Sequence, residues 1–440
     1  MSNPLVNIVI KKAGLTPTSD TAKEYAADLS KSIISVDYFE DLLSPSVTAY
    51  VKISDTANIY NDYQVRGYER LDLEIATANG KETFAFTDDR PLYITGIQDV
   101  VQREGAETFT IACNTKETFD NELARCYSRY SETKKISEHV KDILENVLKT
   151  ENIKTIEETS NTYGFMGNLK KPFHTCTWLS PKGVPQGSKG IGTSGKGPGG
   201  KANGTAGYFF YEDRDGFHFR SMTSMVSDTV SNSNMDNKNI QTYTYTSVTE
   251  DQNSSNKILK YFFSKATDVQ KNLRVGMYSN FTFFFNPWDW ECSRFHYKIG
   301  EEVDSSMGQY SPLPGDDLAK NASRVLTRVG DQGMITKTIA QDSGLKPADM
   351  AKSFGRYNLL FTQSLNIVIP VNVTLRVGQL LRIVLPKATA TQTESNLDAD
   401  SESTGNYLIR SLRHHFDING GTNTTTLNLI RDSYGFNYSN

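Results

Sequence analysis

The sequence predicts a β-rich α+β protein built from two related antiparallel β units and inserted α/β segments. The 22 Tyr and 22 Phe among 440 residues favour strands, because aromatic rings pack well on a pleated surface. A short pattern of alternating apolar residues occurs once near each end of the chain. Between the two copies the apolar period changes to three and four residues, which is typical of an amphipathic helix.

The two copies share the order of a glycine-led strand, a loop, a Tyr-containing strand, a turn and a closing strand. The first contains Gly67, Leu71, Leu73, Ile75, residues 91–95 (PLYIT) and residues 108–111 (TFTI). The second contains Gly378, Leu381, Ile383, Leu385, residues 406–410 (NYLIR) and residues 425–429 (TTLNL). A repeated unit of this kind favours equivalent roles in an assembly over a single active site.

The domain boundaries follow from changes in composition and period. We expect the first β unit at residues 1–118 and a mixed α/β domain at 119–224, with a Gly-rich loop at 181–207. We expect a linker at 225–255, a second β unit at 256–300 and 355–440, and an insertion at 301–354. In the mixed domain, residues 131–148 predict a helix with Ser137 as N-cap, and residues 207–221 predict a hairpin.

Charge and hydropathy exclude several functional classes. The net charge of −4 gives no basic field for tight nucleic-acid binding. No apolar run approaches the roughly 18 residues that span a bilayer, so membrane insertion is not expected. Residues 1–15 lack the features of a signal peptide, which predicts a soluble protein made in the cytoplasm.

The four cysteines do not predict a metal or disulfide framework. Cys113, Cys126, Cys176 and Cys292 include no C-x-x-C pair, and we expect buried free thiols.

Residues 190–196 (GIGTSGK) match the spacing of a phosphate-binding loop. Gly197 stands where a Ser or Thr holds magnesium, and neither a buried strand before the motif nor a helix after it is predicted. We interpret the match as coincidence in a low-complexity segment.

Three further groups are candidates for chemical sites. Glu212, Asp213 and Asp215 surround Arg214, but Gly216 follows them, so a solvated hairpin turn is favoured over acid–base or calcium chemistry. His414 and His415 point to opposite faces of a strand and cannot share a metal. The aromatic tract at 283–290 is assigned to a core or subunit interface rather than a stacking platform. No catalytic, cofactor-binding or metal-binding residue is predicted.

Several segments, in order along the chain, resemble the central baseplate hub proteins of contractile-tailed, T-even-like bacteriophages. They are residues 34–55, with DYFE at 37–40 and LSPSVT at 43–48; the hairpin at 207–221 after residues 172–179; LRVGMYSN at 273–280; and residues 366–385 followed by 406–410. The resemblance spans most of the chain but consists of strand patterns.

The resemblance implies two tail-tube-like β-barrels per chain and assembly as a homotrimer. Three chains with two barrels each form a ring of six similar units, which adapts a threefold central spike to the sixfold tail tube. Expected partners are the spike, the tube initiator or first tube ring, and baseplate wedge and tape measure proteins. The genome passes through the channel of a virion baseplate without specific binding, and a mildly acidic lumen suits that passage.

Two alternatives remain open from the sequence. One is the hub of a non-phage contractile injection system. The other is a multidomain carbohydrate-binding or carbohydrate-active protein, in which the aromatic tract and the carboxylates at 212–215 bind sugar.

Overall fold

The structure, a computed structural model, describes most of the chain. The described residues are 5–11, 26–58, 62–76, 83–87, 89–186, 206–227, 240–245, 256–265, 267–286, 290–299, 307–308, 310–329, 347–387 and 399–435. The phosphate-loop motif at 190–196, most of the predicted linker and part of the insertion lie outside these ranges. No helix within them is long and apolar enough to cross a membrane.

The N-terminal part is all strand until one short helix. Its strands are β1 (Leu5–Lys11), β2 (Ala26–Asp28), β3 (Ile33–Asp41), β4 (Thr48–Asp55), β5 (Arg70–Ala76), β6 (Thr83–Phe86), β7 (Leu92–Arg103) and β8 (Ala106–Thr115), followed by α1 (Lys116–Leu123). Buried and less buried side chains alternate along β4 and β5, as expected where one face of a sheet covers a core.

The middle part mixes helices and short strands. It contains β9 (Arg129–Tyr130), α2 (Ile136–Asp142), a π-helix (Ile143–Leu148), β10 (Ile153–Ile156), β11 (Phe165–Met166), α3 (Pro172–Leu179), a 3₁₀ turn (Ser180–Lys182), β12 (Tyr208–Asp213), β13 (Gly216–Ser221) and α4 (Met222–Ser227). A separate sheet with the order β10-β13-β12 packs its apolar residues against the helices.

The predicted N-cap in this part is wrong. Residue 135 occupies the cap, its backbone N–H donates to the Glu138 carboxylate, and Ser137 is buried two residues further on, within the first turn. The hydroxyl of Ser137 instead bonds the backbone N–H of Thr159, a long-range contact that local pattern does not reveal.

The C-terminal part returns to strands. It contains β14 (Thr242–Thr244), β15 (Lys260–Lys265), α5 (Val269–Arg274), β16 (Ser279–Asn286), β17 (Glu291–Lys298), α6 (Asp317–Lys320), β18 (Arg324–Val329), α7 (Pro347–Leu359), β19 (Gln363–Pro370), β20 (Leu380–Val384), β21 (Gly405–Asp417) and β22 (Thr424–Arg431).

One 14-stranded sheet joins the two ends of the chain. Its main path is β15-β19-β22-β21-β3-β4-β8-β7-β5-β1-β2, with β6 on β5 and β20 on both β21 and β14. Most of its ladders are antiparallel, which confirms the predicted β-rich class; closure into barrels stays a prediction. Buried side chains from both ends form one continuous apolar core.

Two segments differ from their predicted positions. Strands β16 and β17, which the sequence placed in the second β unit, form a separate sheet with β18. The reason is that α7 packs over this hairpin, and residues such as Met277, Tyr297 and Ala351 form a small core there. The predicted linker also contains β14, which pairs with β20 through Tyr243.

Candidate functional site

The repeated pattern corresponds to two units with the same strand order. We define unit 1 as β3-β4-β8-β7-β5 and unit 2 as β15-β19-β22-β21-β20, each written in order of pairing. The strands at equivalent positions in the two units also occur in the same order along the chain. The units are therefore topological copies, as the echo in the sequence indicates.

The copies also match in detail. The backbone N–H of Tyr68 donates to Ile94 O at 2.7 Å, and the N–H of Gly378 donates to Ile409 O at 2.9 Å. Tyr68 and Gly378 both have left-handed φ values, 69° and 78°. Gly378 thus corresponds to Tyr68, one residue after the Gly67 that the sequence pattern suggests.

Each of these residues lies in a turn that is closed by a hydrogen bond from a backbone N–H to a side chain. Glu69 accepts from the backbone N–H of Arg66 at 2.9 Å, and Gln379 accepts from that of Arg376 at 3.1 Å. The shared spacing, Arg-x-x-Glu/Gln-x-Leu, is present in the printed sequence and identifies the repeat more exactly than its glycines do.

The two units meet where β3 pairs with β21. We call this antiparallel ladder, from Ser411 opposite Asp41 to Asp417 opposite Ser35, the seam. Asp37 lies 2.7 Å from His415 Nδ1 and 2.9 Å from the Arg413 guanidinium across it. The seam joins the first strand of unit 1 to the fourth strand, in chain order, of unit 2.

The tip of the β12–β13 hairpin inserts beside the seam. Glu212 is fully buried and accepts from the backbone N–H of Val47 and the hydroxyl of Thr115, both at 3.0 Å. Arg90 lies 2.5 Å from Glu212 and donates to the carbonyl oxygens of Asp213 and Arg214. The mixed domain is anchored to unit 1 by these contacts.

Glu40 connects the same tip to unit 2. This residue of β3 is 2% exposed and accepts from Tyr38 Oη at 2.9 Å. It also accepts from the backbone N–H of Arg214 at 3.0 Å and that of Val377 at 3.2 Å. Three parts of the chain, unit 1, the hairpin and unit 2, therefore share one carboxylate.

We call Glu40, Arg90, Glu212, Asp213 and Arg376 the junction. Its remaining contacts are polar as well: Asp213 Oδ2 lies 2.9 Å from His218 Nε2, and Arg376 Nε lies 3.4 Å from the exposed Asp215. The predicted solvated tip is wrong for Glu212 and Asp213, because the two units cover them.

Burial dominates the electrostatics of the junction. It raises the pKa of Glu212 to about 7, against the opposing effect of Arg90. Burial and then the charge of Asp213 raise the pKa of Glu40. Burial also acts to raise the pKa of Asp213, but the hydrogen bond from His218 and its charge hold that pKa below its usual value.

The two adjacent histidines have different surroundings. His414 is fully buried, its Nδ1 lies 2.9 Å from Thr425 Oγ1, and burial lowers its pKa to about 3. His415 pairs with Asp37 in the seam. Among the described residues, no cluster of His, Cys, Asp or Glu is arranged to hold a metal ion.

The remaining candidate residues lie away from the junction. The rings of Phe281 and Phe283 are half-buried in β16, and Trp290 at the hairpin end is 81% exposed, with its ring 5.9 Å from Phe285. Three cysteines are buried free thiols as expected, but Cys292 is exposed because β17 is an outer strand of its sheet.

Comparison with known proteins identifies the fold. No family model and no curated protein matches the sequence. The structure is similar to a tail protein from Neisseria meningitidis MC58, with 9% identity over 97% of each chain and a TM-score of 0.51. The 43 kDa tail protein of prophage MuSo2 from Shewanella oneidensis has 9% identity, covers 98% of this chain and 99% of that one, and has a TM-score of 0.49.

The fold follows from the first of these similarities. The likeness covers nearly the whole of both chains, so the chain has the fold of that tail protein. This confirms, at the level of fold, the resemblance to baseplate hub proteins.

Proposed function

We propose that this chain is a structural virion protein, the central hub of a contractile-tail baseplate. In this proposal three copies form a homotrimer that adapts a threefold spike to the sixfold tail tube. The single observation that carries the proposal is the repetition of one five-strand pairing order in units 1 and 2.

The repetition supports the proposal through symmetry. A ring with six similar positions can be built from six identical subunits or from three chains that each contribute two similar units. Units 1 and 2 have the same topology, and the seam already joins two of them side by side within one chain. Three chains arranged in this way present six units to a sixfold tube on one side and three identical attachment sites to a spike on the other.

The junction supports a structural role for the carboxylates near residue 212. Glu212 and Glu40 each accept hydrogen bonds from backbone N–H groups of distant segments, so their oxygens are engaged in holding the chain together. A carbohydrate-active enzyme needs two carboxylates that reach a sugar in an open cleft. The coverage of Glu212 and Asp213 by the two units favours the hub over this alternative.

The proposal includes the partners expected of such a hub. They are the central spike, the tube initiator or first tube ring, and baseplate wedge and tape measure proteins, with DNA passing through the channel unbound. A hub of a non-phage contractile injection system has the same geometry, and neighbouring genes that encode a capsid and packaging proteins identify the phage version.

Light scattering coupled to size-exclusion chromatography tests the assembly. The purified chain, alone and co-expressed with the spike encoded beside it, is expected to give a mass three times 49.2 kDa, or that mass plus the spike. Electron images of the species are expected to show a ring with six lobes. A strictly monomeric chain under both conditions contradicts the proposal.

A further inference from the structure

We infer that β15 of one copy pairs antiparallel with the outer half of β7 of the next copy, with Phe262 opposite Val101. This inference rests on the proposed homo-oligomeric hub and specifies the surface that holds its copies together. The partner is a second copy of this chain, joined by a contact that repeats the seam.

The first argument is that each strand of the seam has an equivalent strand in the other unit, and the matching edge of that strand is unpaired among the described residues. Within the chain, β3 of unit 1 pairs with β21 of unit 2. The equivalent of β3 is β15, and the equivalent of β21 is β7. Among the described residues, β15 pairs only with β19, and β7 beyond Ile94 pairs only with β8. Each chain therefore has one open edge of each kind.

The second argument compares the burial of equivalent strands. The outer half of β21 has Leu412, His414 and Phe416 buried, whereas residues 98–102 of β7 are all exposed. Strand β3 alternates buried and half-buried residues, whereas β15 alternates exposed and half-buried ones. The seam strands and the open strands thus differ as a partnered edge differs from an unpartnered one.

The register of the contact follows from residues that face matched partners. In β21, His415 lies opposite Thr424, and in β7, Val101 lies opposite Thr108, directly after a second bulge that β7 has between Gln98 and Val101. These two threonines occupy equivalent positions, since Leu429 of β22 and Cys113 of β8 lie opposite the equivalent residues Ile409 and Ile94.

Phe262 is placed in the same way. Asp37 of β3 lies opposite Tyr50, and Phe262 of β15 lies opposite Asn366. Tyr50 and Asn366 are equivalent because they lie opposite Ala112 and Asn428. Ala112 and Asn428 in turn lie opposite the first residue after the bulge that follows Ile94 in β7 or Ile409 in β21. Since Asp37 lies opposite His415 in the seam, Phe262 lies opposite Val101 between copies.

The chemistry of this pair suits an interface. Val101 is 48% exposed and Phe262 is 54% exposed; exposed Val100 lies beside Val101, and exposed Leu259 lies three residues before Phe262. In place of the Asp37–His415 contact of the seam, this pair combines an aromatic and a β-branched residue, a favourable cross-strand combination. An exposed apolar strand edge of this kind is a template for pairing with another chain.

A designed disulfide tests the register. Facing residues of antiparallel strands have Cα atoms about 4.5–5.5 Å apart, within the range that a disulfide spans. We use a Cys292→Ser background, because Cys292 is exposed and the other three cysteines are buried. Adding Val101→Cys and Phe262→Cys and oxidising mildly is expected to convert more than half of the protein into covalent dimers and trimers on a non-reducing denaturing gel.

Two controls make the result specific. Each single-cysteine variant is expected to give less than a tenth of the cross-linked product. The pair of Val101→Cys with Lys260→Cys, which is two residues out of register on the same side of β15, is expected to give at least fivefold less than the matched pair. Equal cross-linking of both pairs overturns the register.

A charge variant tests the surface independently of the disulfide. Val101→Asp is expected to weaken self-association at least tenfold, measured by light scattering over a concentration series, with unchanged circular dichroism. Val325→Asp, at a position that is 59% exposed outside both units, is expected to leave association unchanged. If the Val101→Asp variant still forms a trimer and the matched cysteine pair does not cross-link, the inference is overturned while the hub proposal is left intact. A wild-type chain that is monomeric throughout overturns both.

Discussion

Glu212 holds two distant parts of the chain together at the cost of burying a carboxylate. Its partners, Val47, Arg90 and Thr115, lie far from it in sequence. Because it loses its hydration, its pKa rises to about 7 in the folded chain from 4.5 in the reference state. Protonation therefore stabilises the folded state between these two values.

The sign of this effect gives a testable pH dependence. Between pH 4.5 and 7 the folded chain binds a proton at Glu212 that the unfolded chain does not, so this group's contribution to stability is present at low pH and is lost as pH rises through about 7. Glu212→Gln removes the titration. We expect the free energy of unfolding of the variant, relative to wild type, to increase by up to about 3 kcal/mol from pH 5 to pH 8, measured by urea titration.

The matched control is Glu145→Gln, at an exposed position that pairs with Lys141 on the helix surface. Its unfolding free energy is expected to stay within about 0.5 kcal/mol of wild type at every pH. A Glu212→Gln curve parallel to wild type contradicts the assignment of a raised pKa.

The sequence allows only part of this site to be predicted. The hairpin turn at residues 212–216 follows from short polar residues and glycine, and the structure contains it. The burial of Glu212 does not follow, because it is caused by Val47, Arg90 and Thr115, which only the fold brings to the hairpin. A local pattern reports the turn but not what covers it.

At the scale of elements, the hairpin depends on one glycine. Gly216 has a φ of 139°, and a Cβ there would lie 2.6 Å from Asn152 O, which accepts the backbone N–H of Phe217 beside it. We expect Gly216→Ala to lower the free energy of unfolding by roughly 2–4 kcal/mol, from backbone strain and overpacking together, as measured by urea denaturation.

Gly105 is the control for this substitution. It also has a positive φ, 82°, but open space surrounds the position of its Cβ. Gly105→Ala is expected to cost about 1 kcal/mol, which represents the conformational term alone. If the two variants lose the same free energy of unfolding, the close approach of Gly216 to the segment before β10 contributes nothing to the loss in Gly216→Ala.

The alternation of apolar and polar residues predicts most strands of the large sheet, but it does not predict which sheet a given strand joins. The hairpin of β16 and β17 has the same aromatic alternation as a strand of unit 2, and its separate sheet is decided by α7. The helix at 131–148 follows from its period, but its change to a π-helix at Ile143 has no local signal that we recognise.

At the scale of the whole molecule, the two units share one core. Leu71 and Leu381 occupy equivalent positions in β5 and β20, both are almost fully buried, and both belong to the same apolar cluster. We expect Leu71→Ala and Leu381→Ala each to cost about 2–5 kcal/mol. Because the core is continuous, each variant is expected to lower the unfolding midpoint of both units together.

Hydrogen exchange tests that coupling directly. In Leu71→Ala, a variant of unit 1, the amides of β22 in unit 2 are expected to exchange faster by the factor that corresponds to the measured loss of stability. Exposed Val325→Ala is expected to leave them unchanged. Unaltered protection in β22 would mean that the units unfold independently.

The bulges in β7 and β21 have a consequence for how this gene tolerates insertions and deletions. The two strands carry a bulge at equivalent positions, between Ile94 and Gly96 or between Ile409 and Ser411, and β7 carries a second bulge between Gln98 and Val101. In β21 the extra residue switches the core-facing positions from Tyr407 and Ile409 to Leu412, His414 and Phe416. Deleting one residue there would turn the outer half of the strand over, placing polar side chains in the core. Insertions and deletions at these bulges are therefore expected to survive selection in steps of two residues.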